Sequence, residues 1–215
     1  MAEPLRLIGF EHSVYTWAVR FAMAEMGLTA DYVEANPFAD PPDPVLARYT
    51  PLRRVPVLQH GDLLLTETAA ILRYLDALSA GPSLQPEDPV AAAQMNQIIG
   101  LVDADVYPIM VRQVFSPGYY TPVVLGLQGD DAPVAQGLVQ AQPALEVLER
   151  IAGQGRQLTG DVLSLADLHL GPMMSYFTRV PAAAEALTGT PALARWWQTV
   201  SLRPALRATD PLKGD

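Results

Sequence analysis

Hydrophobic and polar positions follow one rhythm up to about residue 80 and another beyond it. Leu5-Arg6-Leu7-Ile8-Gly9-Phe10 alternates like a half-buried strand. From Ser13 to Met26 the apolar residues Val14, Trp17, Phe21 and Ala24 recur at helical spacing, and Gly27 supplies a stop. Ala30 to Glu34 predicts a second strand, and the proline-bearing run Asn36 to Asp43 predicts a loop. Val55-Pro56-Val57-Leu58, the turn residues His60-Gly61-Asp62 and Leu63-Leu64-Leu65 predict a hairpin. Thr68 to Leu78 then reads as a helix packed back on the sheet. The order is β-α-β followed by β-β-α.

Ser79 to Pro86 is a Gly/Pro/Ser break, and no strand pattern follows it. A long helix is expected from Asp88 to about Phe115, then an irregular Gly-, Pro- and Tyr-rich stretch from Ser116 to Asp130. Further helices are expected at Ala132 to Ile151, Leu165 to Arg179 and Pro191 to Leu202. The pattern divides the chain into an α/β domain over 1–79, a linker over 80–87 and an all-α domain over 88–215, with no internal repeat. Ser164 followed three residues later by Asp167 fits a capping box, in which each side chain satisfies a backbone donor near the other; its role is structural. Trp196 and Trp197 are adjacent on one helix and face different sides, so at least one belongs to the core.

Composition narrows the chemistry. Of 215 residues, 50% are hydrophobic and 17% charged, which excludes global disorder. With 23 acidic and 14 basic residues the net charge is −9, which argues against nucleic acid or an anionic membrane as the main partner. Met1-Ala2-Glu3-Pro4 leads straight into a strand, and no run reaches the ~18 apolar residues of a membrane span, so a soluble cytoplasmic protein is expected. The absence of cysteine removes disulfides, thiolate metal sites and cysteine nucleophiles, so any sulfur chemistry must come from a bound thiol. His12, His60 and His169 have no paired ligand spacing, and no metal is expected.

One segment combines turn and helix-start signals. A proline cannot donate to a sheet ladder, so Pro56 predicts an edge, bulge or special turn that leaves the Val55 main chain exposed. Eleven residues after Pro56, a helix opening with Glu67 and Thr68 offers free backbone N–H groups and a positive dipole end to a carboxylate. Together they predict a small-ligand cradle.

Across nearly its whole length, this arrangement resembles the cytosolic glutathione transferase superfamily, in a bacterial-type form with a serine-class-like active site. Three segments carry the resemblance: Ser13-Val14-Tyr15-Thr16-Trp17-Ala18-Val19-Arg20, Val55-Pro56-Val57-Leu58 with Glu67-Thr68, and Gly160-Asp161-Val162-Leu163-Ser164-Leu165-Ala166-Asp167. It implies a thioredoxin-like N-terminal domain followed by an all-helical one, with glutathione as co-substrate and no metal. Thr68, where the family more often has Ser, would receive the γ-glutamyl carboxylate, and Glu67 the α-ammonium. Val55, bent by Pro56, would pair with the cysteinyl amide. Arg54 would reach the glycyl carboxylate. Thr50-Pro51-Leu52-Arg53 departs from the family's usual Asn-Pro-x-Gly, which leaves Arg53 as the alternative.

Ser13 matches the position from which serine-type classes donate a hydrogen bond to the glutathione sulfur, and it is also a natural helix cap. Tyr15 and His12 are the alternatives. A small hydrophobic electrophile would lie among Phe10, Tyr107, Arg112, Tyr119 and Tyr120. The resemblance further implies a homodimer, with Asp103 or Asp105 reaching across to the partner's glutathione. The expected activity is thiolate attack on an electrophile. The alternatives are a glutathione-dependent isomerase of the maleylacetoacetate type, whose Ser-Ser-Cys triplet is here Ser13-Val14-Tyr15, and a non-catalytic binding protein.

Overall fold

The computed structural model describes residues 3–213. They divide into two units, one formed by the described residues up to Ser83 with Ala208–Leu212 and the other by Leu84–Arg207 with Lys213. The first unit contains strand β1 (Leu5–Gly9), helix α1 (Val14–Glu25), β2 (Asp31–Glu34), β3 (Val57–His60), β4 (Leu63–Leu65) and α2 (Thr68–Leu78). The sheet order is β2-β1-β3-β4. β1 pairs parallel with β2 and antiparallel with β3, and β3 pairs antiparallel with β4. This is the β-α-β, β-β-α order expected from the chain's periodicity and the thioredoxin-like unit that the family resemblance implies. β3 starts at Val57, two residues later than the hydrophobic run suggests, because Pro56 has no N–H to give to the ladder; the Val55–Pro56 peptide is cis.

Alternation on β1 sorts its side chains between two faces. Ile8 and its register partner Val57 meet Ala35 and Leu46 in one fully buried cluster, with Val33, Val45, Tyr49 and Val55 packed around it. The helices α1 and α2 contact each other and bury Trp17, Phe21, Ile71, Leu72 and Leu75. Each such side chain contributes roughly 1.5–3 kcal/mol of transfer free energy. Helix α1 comes so close to the end of β1 that a Cβ on Gly9 would lie 2.4 Å from the Thr16 methyl carbon, so only glycine fits. The chain's last turns also join this unit. The buried Trp17 indole N–H donates to Thr209 Oγ1 at 3.0 Å, and Leu212 is buried.

The second unit contains α3 (Pro89–Leu101), a π-wound helix (Val102–Val124), α4 (Asp131–Gly153), α5 (Leu165–Thr178), α6 (Pro181–Ala186), α7 (Pro191–Val200) and the start of α8 (Pro204–Thr209). The stretch read as irregular from Ser116 is helical to Val124, despite prolines at 108, 117 and 122. Its wider winding spaces bonds five residues apart, as in Leu125 N–H to Tyr120 O at 3.1 Å. Packing carries the helix past its breakers: Val102, Val106, Met110, Val111, Val114 and Phe115 form a buried stripe around Pro108, and farther on a Cβ at Gly118 would lie 3.1 Å from methyls of Val134 and Val180. Helix α4 passes tightly over it at Gly137, where a Cβ would lie 2.7 Å from a Val114 methyl. Helices α6 and α8 are absent from the sequence reading, being only six residues long and opening on prolines.

Helix α5 begins with the capping box predicted at Ser164 and Asp167. The Ser164 N–H donates to Asp167 Oδ2 at 2.7 Å, and the fully buried Trp196 indole donates to Asp167 Oδ1 at 2.6 Å. Ser164 Oγ lies 2.8 Å from the same carboxylate and 2.6 Å from Gln157 Oε1. Trp196 is therefore the core tryptophan of the pair, and one carboxylate ties α5 to α7. Burial pushes the Asp167 carboxyl above its ordinary value, and the donors from Trp196 and Ser164 oppose that shift.

Asp167→Ala strands two buried N–H donors, each costing roughly 1–3 kcal/mol, so urea unfolding should show a loss of about 3 kcal/mol or more. Asp167→Asn keeps one acceptor and should lose less. Because the folded state binds this proton more readily than the unfolded chain, its contribution is full below about pH 3.8 and fades as pH rises through the raised native value. Unfolding measured across that range should be flatter with pH in Asp167→Asn than in the parent protein.

Candidate functional site

The strand register gathers the first unit's candidate residues at one end of the sheet. Ile8 pairs with Val57, and Leu58 pairs with Leu65. β1 and β4 therefore end, and β3 begins, at the same end of the sheet. The β1–α1 loop carrying Ser13, the Val55 main chain and the Glu67–Thr68 helix start therefore share the sheet edge where β1 and β4 end. The β1–β3 ladder begins at Val57, which leaves the Val55 main chain outside it.

Ser13 is half-buried and caps α1 with its side chain. Its Oγ accepts the Thr16 N–H at 3.3 Å, its N–H donates to Phe10 O at 2.9 Å, and its carbonyl accepts the Trp17 N–H at 2.9 Å. Capping and chemistry are compatible here, because the cap uses a hydroxyl lone pair and leaves the O–H proton for another acceptor. The Phe10 N–H donates to Thr16 Oγ1 at 3.4 Å, so the loop is stitched to the first turn of the helix. His12 and Tyr15 are half-buried neighbours, and the His12 ring meets Phe10 edge-on at 5.6 Å.

At the other helix start, Thr68 is buried and Glu67 is exposed. Glu67 O accepts the N–H groups of Ala70 and Ile71, both at 3.0 Å, so the Thr68 and Ala69 N–H groups precede the intrahelical ladder. Glu67 has φ 65° and ψ 113°, a conformation that costs a non-glycine residue about 1–3 kcal/mol. Arg53 and Arg54 are both exposed, and Arg53 also has positive φ, at 49°.

The residues read as electrophile-facing fall in both units. Phe10 belongs to the first. Phe38, part of the expected loop but not singled out, meets Phe10 edge-on at 5.9 Å and is 65% exposed. Its only sequence signal was a lone aromatic in a proline-rich loop. The Asp43 carboxylate holds that loop by accepting the N–H groups of Asn36 and Val45 at 2.8 Å and of Leu46 at 3.4 Å. Those donors, Asn36 first, hold its carboxyl below the usual value. In the second unit Tyr107 is half-buried and Arg112 exposed on the π-wound helix. Tyr119 stacks near Phe115 at 5.8 Å and its hydroxyl accepts from Arg179 Nη1 at 3.1 Å. Tyr120 lies 6.1 Å from the same Phe115 ring, and burial pushes its phenol up. Asp103 Oδ1 lies 2.9 Å from Nε2 of the fully buried His169.

Among the described residues, no group of three or more His, Asp or Glu side chains is placed to hold a metal, and no helix is long and apolar enough to cross a membrane.

Comparison with known proteins agrees with this fold. Residues 7–83 match the model of the glutathione S-transferase N-terminal domain, and residues 105–204 match that of the C-terminal domain. The chain is 30% identical over 211 residues to glutathione S-transferase 1 of Zea mays, covering 95% of this chain and 94% of that protein. Among solved structures, glutathione S-transferase III in apo form superposes with TM-score 0.81 at 28% identity, covering 96% of this chain and 95% of that one. Glutathione S-transferase I from maize, in complex with an atrazine glutathione conjugate, superposes with TM-score 0.78 at 27% identity and 96% coverage of both chains. The chain thus belongs to the glutathione S-transferase family of enzymes.

Proposed function

We propose that the protein binds reduced glutathione at the sheet end of the domain over 1–79 and drives its thiolate onto a small hydrophobic electrophile. The observation that supports this reading is that β1 ends, β3 begins and β4 ends at one end of the sheet, so the loop bearing Ser13, the Val55 turn and the Glu67–Thr68 helix start all leave from that end. The open N–H groups of Thr68 and Ala69 suit the γ-glutamyl carboxylate, with the Thr68 hydroxyl beside them, and Glu67 suits the α-ammonium. Val55 and Pro56 present main chain to the cysteinyl amide, and Arg54 or Arg53 supplies charge for the glycyl carboxylate. The maize enzyme that holds an atrazine–glutathione conjugate supports the same ligand class.

A free thiol ionises near ~8.5, so most of it is protonated at neutral pH. The Ser13 O–H donates to the sulfur anion, and the N-terminus of α1 adds a favourable potential. The thiolate lone pair forms the C–S bond while a halide leaves, or while an epoxide or enone electron pair moves to oxygen and takes a proton from water. Phe10 and Phe38 offer apolar surface beside the sulfur, with Tyr107, Arg112, Tyr119 and Tyr120 as further candidates. A homodimer in the cytoplasm completes the proposal. A panel of aryl halides, epoxides, enones and cis-enone diacids separates conjugation from isomerisation, and binding without any turnover would favour a non-catalytic role.

Two variants test the site. Ser13→Ala should lower stability by about 1 kcal/mol through the lost cap. It should also raise the thiol pKa of bound glutathione by about one unit, read from thiolate absorption in the ultraviolet, with kcat/KM roughly tenfold lower at neutral pH. Ser13→Asp restores the cap but has no proton to donate, so stability should recover and the thiol pKa should not. A wild-type thiol pKa in Ser13→Ala would remove Ser13 from the chemistry and turn attention to Tyr15 and His12.

Glu67→Gly relieves the positive-φ strain while adding chain entropy to the unfolded state. Strain of about 1–3 kcal/mol outweighs an entropy cost of about 0.4–1 kcal/mol, so unfolding should show a net gain near 1 kcal/mol. Calorimetry should show glutathione binding weakened roughly fivefold, because a charge-assisted bond to the ammonium is gone.

A further inference from the structure

Resting on the reading that Ser13 serves the thiol, we infer that Glu34 at the end of β2 is a positioning residue for that serine, acting through the backbone of the β1–α1 loop. Residues 10 to 13 are stitched mainly to themselves and to α1, through Phe10 N–H to Thr16 Oγ1 and Ser13 N–H to Phe10 O. Glu34 adds a link from outside that stretch. Its Oε1 accepts the Glu11 N–H at 3.2 Å, and its Oε2 accepts the Tyr32 O–H at 2.6 Å. The Arg20 guanidinium lies 5.8 Å from the centre of the Tyr32 ring. A chain of contacts therefore runs from mid-α1 through Arg20 and Tyr32 to Glu34, and back to the loop two residues before Ser13.

Backbone pairing fixes where Glu34 starts from. β2 lies parallel to β1 with Gly9 opposite Glu34, and Ala35 N–H donates to Gly9 O at 2.7 Å. The carboxylate thus begins level with the last residue of β1 and spans only the turn that follows. Tyr32 fixes the rotamer. Burial, and then the Glu34 carboxylate, push its phenol up, so it remains a proton donor to Glu34 across the working range of the enzyme. Donation to a sulfur anion depends on sub-ångström placement of the Ser13 oxygen, so a loop tied at Glu11 holds a better donor than a free one.

Positioning and charge predict opposite signs. A carboxylate near the sulfur disfavours thiolate, so on charge alone its removal would lower the bound thiol pKa. Loss of loop positioning raises it. The experiment titrates the thiolate absorption of bound glutathione in the parent protein and in Glu34→Ala, Glu34→Gln, Tyr32→Phe and Ser13→Ala, at saturating glutathione. Glu34 is exposed, and the melting temperatures of its variants check that the fold is kept.

The expected result is a rise of about half a unit in Glu34→Ala, which is roughly a threefold loss of thiolate below the pKa. Glu34→Gln, which keeps an acceptor for the Glu11 N–H, should stay near the parent value, and Tyr32→Phe should rise by less than Glu34→Ala. A fall or no change in Glu34→Ala, or an equal rise in Glu34→Gln, overturns the proposal. If Ser13→Ala raises the thiol pKa and Glu34→Ala does not, only the Glu34 proposal fails. If Ser13→Ala itself causes no rise, the reading of Ser13 fails and the Glu34 proposal falls with it.

Discussion

The site depends on β1 being hydrogen-bonded on both sides in one register. Its parallel partner β2 brings Glu34 level with Gly9, and its antiparallel partner β3 brings Val57, just after the Val55–Pro56 turn, level with Ile8. A slip of one residue would exchange the faces of Leu7 and Ile8 and break the Ile8–Val57 match. The Ile8–Val57 cluster resists such a slip, because moving either residue exposes large apolar area. Gly9 secures the same register at the α1 end, where the Thr16 side chain occupies the space of a Cβ.

The local conformations at the site are not those that stability alone would select. Glu67 sits at positive φ at the helix start, where glycine would be relaxed. In the second unit the polar groups serve structure instead: Asp167 joins the start of α5 to Trp196, and the Glu149 carboxylate caps α7 by accepting the Ala192 and Leu193 N–H groups at 3.1 and 2.8 Å. Both kinds of residue are acidic and lie at helix starts, and only burial and partners tell them apart. Asp167 is fully enclosed by donors, whereas Glu67 is exposed.

Much of the fold was legible along the chain because its signals are local. The 2.0 and 3.6 residue periods, the Gly27 stop and the Ser164–Asp167 spacing each report on a few neighbouring residues. The π-wound helix was not legible past Phe115. Its prolines and Gly118 read as breakers, and the packing that overrides them comes from residues on α4 and α5, far away in sequence. The same distance hid Thr209, which accepts from a tryptophan 192 positions earlier.

Sequence by itself determined which chemistry was available. With no cysteine any reacting sulfur must come from a bound thiol, and the turn and cap types around Val55, Glu67 and Thr68 suggest a small-ligand cradle. Tertiary structure decided which residues meet. Phe38 reaches Phe10 across 28 positions, and Glu34 reaches Glu11 across 23. Neither pairing follows from periodicity, because it is set by parallel strand pairing through a crossover helix and by an Asp43-bound loop, and a one-dimensional pattern records neither.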